Sequence, residues 1–371
     1  MKKLSHLSKI AFRKILLQVF SLLTCLIIPF SAWGVSSLGC IGATVAEYLL
    51  PGLGYGLLGH YDKLLVFGGA RWVMLNKYLQ YSTDDDYEEN FSSIYSKREL
   101  EDDKTQHDFF YSRETFYANA YSSMYGNLTF ATFYDLYETG CEENTETFGL
   151  MLAPFQIWNY YDQWTFWVPT IWASSVSLES DLVTYHVDND LSKNEMINTS
   201  FLKYQLVGVG EEMLFRGIIQ QSLYNLYSMG MSKSISRWGS IITASAVFGA
   251  AHSGAGFTAT PAIAFLAGLY LGIIYHPADG DFDLIEPIAI HSWWDTILEN
   301  RRLKGATFVD REEGETASNY SIRANRVYPL IGFNYRFLSL IHISEPTRPE
   351  RIAVGGVWVE KNRGGGGGGG G

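Results

Sequence analysis

Ionisable side chains embedded in apolar runs restrict the fold of this 371-residue chain more than any other feature. Two adjacent glutamates and an arginine interrupt the run Val207-Gly208-Val209-Gly210-Glu211-Glu212-Met213-Leu214-Phe215-Arg216. His252 closes Val247-Phe248-Gly249-Ala250-Ala251, and His291 and Asp295 sit in Ile290-His291-Ser292-Trp293-Trp294-Asp295. Charged groups at membrane depth are unfavourable, rare and by default functional. Three apolar segments whose polar groups can meet in space therefore read as an active site buried in a membrane.

Bulk composition agrees with that reading. Aromatic residues make up 15% of the chain, as expected where rings form belts at a bilayer interface. The net charge of −11 argues against a nucleic-acid partner. Much of the acid falls between Asp84 and Lys104, so it describes a loop and not a whole surface. The three cysteines, Cys25, Cys40 and Cys141, have no zinc-site spacing. Cys40 and Cys141 can pair only if both face an oxidising compartment.

The predicted organisation is an all-α, polytopic transmembrane helical bundle with a polar loop in its N-terminal half, multi-pass in the cell membrane. Residues 1–34 read as a signal peptide or first transmembrane helix: Lys2, Lys3, Lys9, Arg13 and Lys14 precede an apolar core, Ile15 to Phe30. Residues 35–195 form an N-terminal membrane-associated region. Its apolar pieces Ala43–Leu58 and Leu64–Leu75 are shorter than the roughly 20 residues of a span. The acidic segment 82–112 reads as a solvated loop, and Phe116–Tyr137 as an interfacial stretch. Phe148–Trp172, with four tryptophans, reads as a span.

Residues 196–300 are more regular. Ser200–Tyr227 is expected to be one long helix, and Trp238–His252 a second, stopped by Ser253-Gly254. Thr260-Pro261 caps a third, rich in small residues that permit close helix contact in lipid, which runs to Tyr275. Pro287 opens a fourth, through Leu298. Residues 301–337 form a polar C-terminal region whose Arg301, Arg302 and Lys304 suit a cytoplasmic exit. Residues 338–371 are expected to be a sequencing artefact: Leu338 to Arg348 matches the in-frame translation of a transposase adapter, and the chain then runs into Gly364 to Gly371. His342 belongs to that stretch and is no site candidate.

Helical geometry separates the two glutamates. Glu212 and Arg216 stand i, i+4 in the favourable order for an ion pair on one face, and a buried guanidinium demands such a partner. Glu211 points about a hundred degrees away. A carboxylate without a cationic partner, held away from bulk water, suits general acid–base work. His291 and Asp295 share a face, where Asp295 orients the ring or both bind a metal. Glu211, His252, His291 and Asp295 together suit hydrolysis of a peptide bond, with one group activating water and others holding the oxyanion.

Glu211-Glu212-x-x-x-Arg216, Phe248-x-x-x-His252 and His291-x-x-x-Asp295, in that order on successive apolar helices, resemble the CAAX-protease and bacteriocin-processing family of intramembrane endopeptidases. The resemblance covers residues 200 to about 300. It implies that Glu211 with His252 activates the water, that His291 and Asp295 hold the oxyanion or a metal, and that Glu212 and Arg216 support them. Zinc is a candidate cofactor, with Glu211, His252, His291 and Asp295 as candidate ligands, and a metal-free glutamate mechanism would serve as well. The implied partners are the lipid bilayer and a membrane protein or peptide substrate, with no nucleic acid. Some family members carry Asn where this chain has Asp295, and an ionised aspartate cannot donate a hydrogen bond to an oxyanion. The alternative reading is a catalytically silent membrane scaffold or immunity protein with the same fold.

Overall fold

The computed structural model describes residues 37–88, 94–99, 105–139, 141, 146–175, 183–252, 261–278 and 281–311. The leader 1–34, the Ser253-Gly254 stop, Thr260, residues 312–337 and the tail 338–371 lie outside the described residues.

Most of the described residues are helical, as the sequence predicts. The helices are α1 (Ser37–Leu49), α2 (Leu53–Leu58), α3 (Gly69–Ser82), α4 (Arg113–Glu138), α5 (Glu146–Met151), α6 (Trp164–Ser175), α7 (Lys193–Glu212), α8 (Gln221–Ser228), α9 (Lys233–Ala251), α10 (Pro261–Tyr275) and α11 (Ile285–Gly305). Serine side chains start three of the longest: the Ser112, Ser192 and Ser232 hydroxyls accept from the backbone N–H of Thr115, Glu195 and Ile235. At α7 the Glu195 carboxylate reaches back to the Ser192 N–H, completing a capping box. A π-helical segment, Met213–Gln220, joins α7 to α8, so the expected single helix across 200–227 forms with a wider turn beside its glutamates.

A four-stranded sheet was not anticipated. Its strands are β1 (Tyr95–Glu99), β2 (Thr105–Tyr111), β3 (Val183–Val187) and β4 (Thr307–Asp310), in that spatial order. β1 and β2 pair antiparallel inside the stretch expected to be a solvated loop; β2–β3 and β3–β4 pair parallel. Tyr95, Phe109, Tyr185 and Phe308, one per strand, stand in a row with ring centroids 5.0–5.2 Å apart. This aromatic face packs with Phe116, Tyr117, Met196 and Leu303 from α4, α7 and α11. Aromatic residues spaced by two are the strand signal that the acidic composition hides.

The sheet fixes the frame of the site. β3 and β4 are neighbours, and the whole chain from α7 to α11 is the crossover between them. The start of α7 and the end of α11 are thereby pinned side by side, and the Lys193 ammonium donates to the Lys304 carbonyl across the join (2.9 Å).

In the N-terminal half two other expectations change. Phe116–Tyr137 is not an interfacial strip. It lies within α4, a 26-residue helix that buries residues on several sides between α3, α7 and the sheet. Phe148–Trp172 is not one span: it breaks into α5, two 3-10 turns and α6. Two buried ion pairs there went unread in the sequence. Glu47 pairs with Arg71 and accepts backbone N–H bonds from Gly52 and Gly54 (2.8 and 3.0 Å). Lys63 donates to both Asp135 oxygens (2.9 Å), with the Tyr55 hydroxyl also on Asp135. Cys40 and Cys141 form a disulfide, tying α1 to the turn after α4.

Among the described residues no helix is both long and apolar enough to cross a membrane by itself. The reason is visible in α11, whose 21 residues include Glu286, His291, Asp295 and Glu299. A helix that bears a polar site along one face loses mean hydropathy by doing so.

Candidate active site

α7 enters the bundle between α4 and α11, and two glycines let it do so. A β-carbon on Gly208 would fall 2.2–2.7 Å from Ser292 of α11, and one on Gly210 would fall 2.4–2.7 Å from Asn127 of α4. The helices therefore touch backbone to backbone immediately before Glu211 and Glu212. Gln205 extends the seam by donating to the Thr296 hydroxyl (2.8 Å), while Ser292 donates to the Gln205 carbonyl (3.2 Å).

Glu212 is fully buried and its Oε1 accepts two hydrogen bonds. One comes from Arg216 Nη1 (3.0 Å), the predicted i, i+4 pair. The other comes from His291 Nδ1 (2.7 Å), 79 positions along the chain. A carboxylate only accepts, so Nδ1 carries the proton and Nε2 faces the other way. Glu212 thus holds the Nδ1 side of the His291 ring, while Asp295 stands on its Nε2 side. Arg216 is held further by the Gly268 carbonyl (3.2 Å) and by the Phe248 ring, 4.6 Å from its guanidinium carbon.

His252 ends α9, where its Nδ1 donates to the Phe248 carbonyl one turn back (2.8 Å). Its Nε2 points at Glu211 Oε2, 3.6 Å away. His291 Nε2 approaches the same oxygen to 3.9 Å and Asp295 Oδ2 to 3.5 Å. Glu211 Oε2 is buried and makes no hydrogen bond among the described residues. The Phe248 ring packs against both histidines, with centroids 4.3 Å from His252 and 5.9 Å from His291. The structure therefore brings Glu211, His252, His291 and Asp295 together from three helices, with Glu212 and Arg216 directly behind.

Residues 195–297 match a family model described as type II CAAX prenyl endopeptidase Rce1-like. This segment is similar to that family. The match runs from the first turn of α7 to just past Asp295, so it includes all six residues above and agrees with the resemblance carried by the three motifs. Comparison with curated proteins and with solved structures found no match. The Rce1-like segment thus joins a sheet and an N-terminal helical region for which no relative supplies a role.

The donor set of the Rce1-like site is two imidazole nitrogens and two carboxylates, types that suit zinc. Among the described residues no group of three or more such side chains closes to metal-binding geometry. The signals that sequence reasoning missed are Gly208, Gly210 and the Glu212–His291 bond. Glycine spacing hinted at close packing, but nothing local to Glu212 names a partner in another helix.

Proposed function

We propose that this chain is an intramembrane endopeptidase that hydrolyses peptide bonds of membrane-associated proteins or peptides. The observation that carries this reading is the convergence of Glu211 Oε2, His252 Nε2 and His291 Nε2, within 3.9 Å of the shared oxygen. With its Nδ1 proton given to Phe248, a neutral His252 presents Nε2 as an acceptor, and ionised Glu211 is an acceptor too. Two acceptors cannot bond to each other, and at 3.6 Å apart they are placed to take both protons of one water. That water keeps a lone pair free to attack a carbonyl, and Glu211 takes its proton as the tetrahedral intermediate forms. His291 in its doubly protonated form donates Nε2–H to the oxyanion while Glu212 accepts from Nδ1. Glu211 then returns the proton to the leaving amine.

Bilayer residence is supported by the family match and by the outward faces of the helices. Val168 and Ile171 of α6, Ile242 of α9 and Ile263 and Leu266 of α10 are all at least half exposed. Apolar exposure of this kind on three helices suits a lipid cover, which needs no protein partner.

Purified full-length protein in proteoliposomes, offered a library of membrane peptides, tests the reading. Wild type is expected to cleave, Glu211→Gln to fold and not cleave, and metal analysis with chelation to decide whether zinc takes part. Absence of cleavage by well-folded wild type across the library would favour the silent scaffold.

A further inference from the structure

Three observations fix which end of the molecule faces which compartment, given the bilayer reading on which this inference rests. α4 is the measuring rod. It leaves the sheet directly after β2 and ends three residues before Cys141. Its 26 residues span about 39 Å, more than a hydrocarbon core of roughly 30 Å. The sheet and the disulfide therefore lie on opposite sides of any bilayer that the bundle crosses.

The disulfide then assigns the compartments. Cys40 and Cys141 are bonded to each other, and Cys141 is fully buried in a cluster with Tyr55, Phe67 and Leu136. Such a bond persists outside the cytoplasm and is rare inside it. Basic residues give the same answer independently. Arg113, Lys193, Arg301, Arg302, Lys304 and Arg311 gather where α4, α7 and α11 meet the sheet. The other end has Lys233, Arg237 and Lys63. Cytoplasmic flanks carry the excess of Lys and Arg, and acidic residues weigh little in that rule.

We infer that the disulfide end of the bundle is extracytoplasmic and that the four-stranded sheet, with the acidic segment Asp84–Glu88, is a cytoplasmic cap. The site inherits a direction. α11 runs toward the sheet, so Asp295 lies about 6 Å nearer to it than His291, one turn earlier. Asp295 is also the more exposed of the two (27% against 9%), so the open edge of the site faces the cap.

Single-cysteine labelling of the full chain tests this in intact cells. On a Cys25→Ser background, Met229→Cys marks the turn between α8 and α9 at the disulfide end, where Met229 is 84% exposed. Asp190→Cys marks the turn between β3 and α7, where the Asp190 side chain is 65% exposed. A membrane-impermeant maleimide is expected to label Met229→Cys on intact cells and Asp190→Cys only after permeabilisation. Peptide mapping of unreduced protein is expected to find Cys40 linked to Cys141. Met231→Cys and Lys304→Cys repeat the reading if either first variant fails to accumulate. The reverse pattern, or equal labelling of both ends, overturns the orientation. Alkaline carbonate separates that failure from the other: a chain it releases from membranes overturns the bilayer reading itself, whereas a retained chain with reversed labelling overturns only the sidedness.

Discussion

At the scale of single residues, the two adjacent glutamates meet different partners because a helix turns about a hundred degrees between them. Glu211 faces two imidazole nitrogens without a hydrogen bond to either, whereas Glu212 Oε1 accepts from both Arg216 and His291. Their substitutions should separate. Glu211→Gln is expected to lower peptide cleavage by at least about 100-fold, the lower bound for loss of a general base, with an unchanged thermal midpoint. Glu212→Gln is expected to lower both, since it strips Arg216 of its counter-charge and His291 of its anionic acceptor. Breaking a buried pair costs roughly 3–5 kcal/mol, which thermal unfolding of detergent-solubilised protein would register. Equal stability losses in the two variants would remove the distinction drawn between them.

Glu211, Glu212, Arg216, His252, His291 and Asp295 were all legible in the sequence, because a titratable group in an apolar run stands out without any knowledge of its neighbours. What could not be read was the pairing of Glu212 with His291. Helical periodicity ranks partners within one helix, as it did for Arg216, and says nothing about a ring 79 residues away.

At the scale of elements, the contact of α7 with α4 and α11 decides whether the site forms. Gly208→Ala would push a methyl group into the Ser292 backbone and separate α7 from α11. Overpacking of this kind costs about 1–3 kcal/mol, and it also draws His291 away from Glu212, so activity should fall further than stability does. Gly126→Ala on α4 is the control. Nothing lies within 4 Å of its would-be β-carbon, and stability there should hold or rise slightly. Matching losses in the two variants would show that the close approach at Gly208 does not matter.

The start of α7 offers a pH test away from the site. The Ser192 backbone N–H, and after it the Ser192 hydroxyl, hold the Glu195 carboxyl below its ordinary range. A folded-state pKa that is lowered contributes stability above the unfolded value and loses it as pH falls through the folded one. The stability difference between wild type and Glu195→Gln should therefore be present at neutral pH and vanish in acid. A difference independent of pH would mean that the carboxylate form is not what caps the helix. The elements that misled the sequence reading were β1 and β2. Acidic residues dominate 82–112 by number, while alternate aromatics such as Tyr95, Phe109 and Tyr111 set its structure.

At the scale of the whole molecule, a disulfide at one end and a sheet at the other hold the bundle. The Cys40–Cys141 bond closes a loop of 101 residues, for which chain entropy alone gives about 4.7 kcal/mol. Cys141→Ser should lower the thermal midpoint by several degrees and leave Glu211-dependent cleavage intact at permissive temperature, because neither cysteine belongs to the site. A midpoint insensitive to the substitution would show that the unlinked chain is already held together by the Glu47–Arg71 and Lys63–Asp135 pairs.

Residue chemistry and its order along the chain determined the candidate site, the family resemblance and the predominance of helix. These depend on side-chain type and on short periods, which a sequence displays directly. Tertiary structure alone decided that β3 and β4 lie side by side and so bind the two ends of the site-bearing segment together, that Glu212 pairs with His291, and that Cys40 meets Cys141. Each of these joins residues roughly 80 to 120 positions apart. Contacts at that range are selected by the summed packing of many helices and strands, and no local pattern encodes that sum.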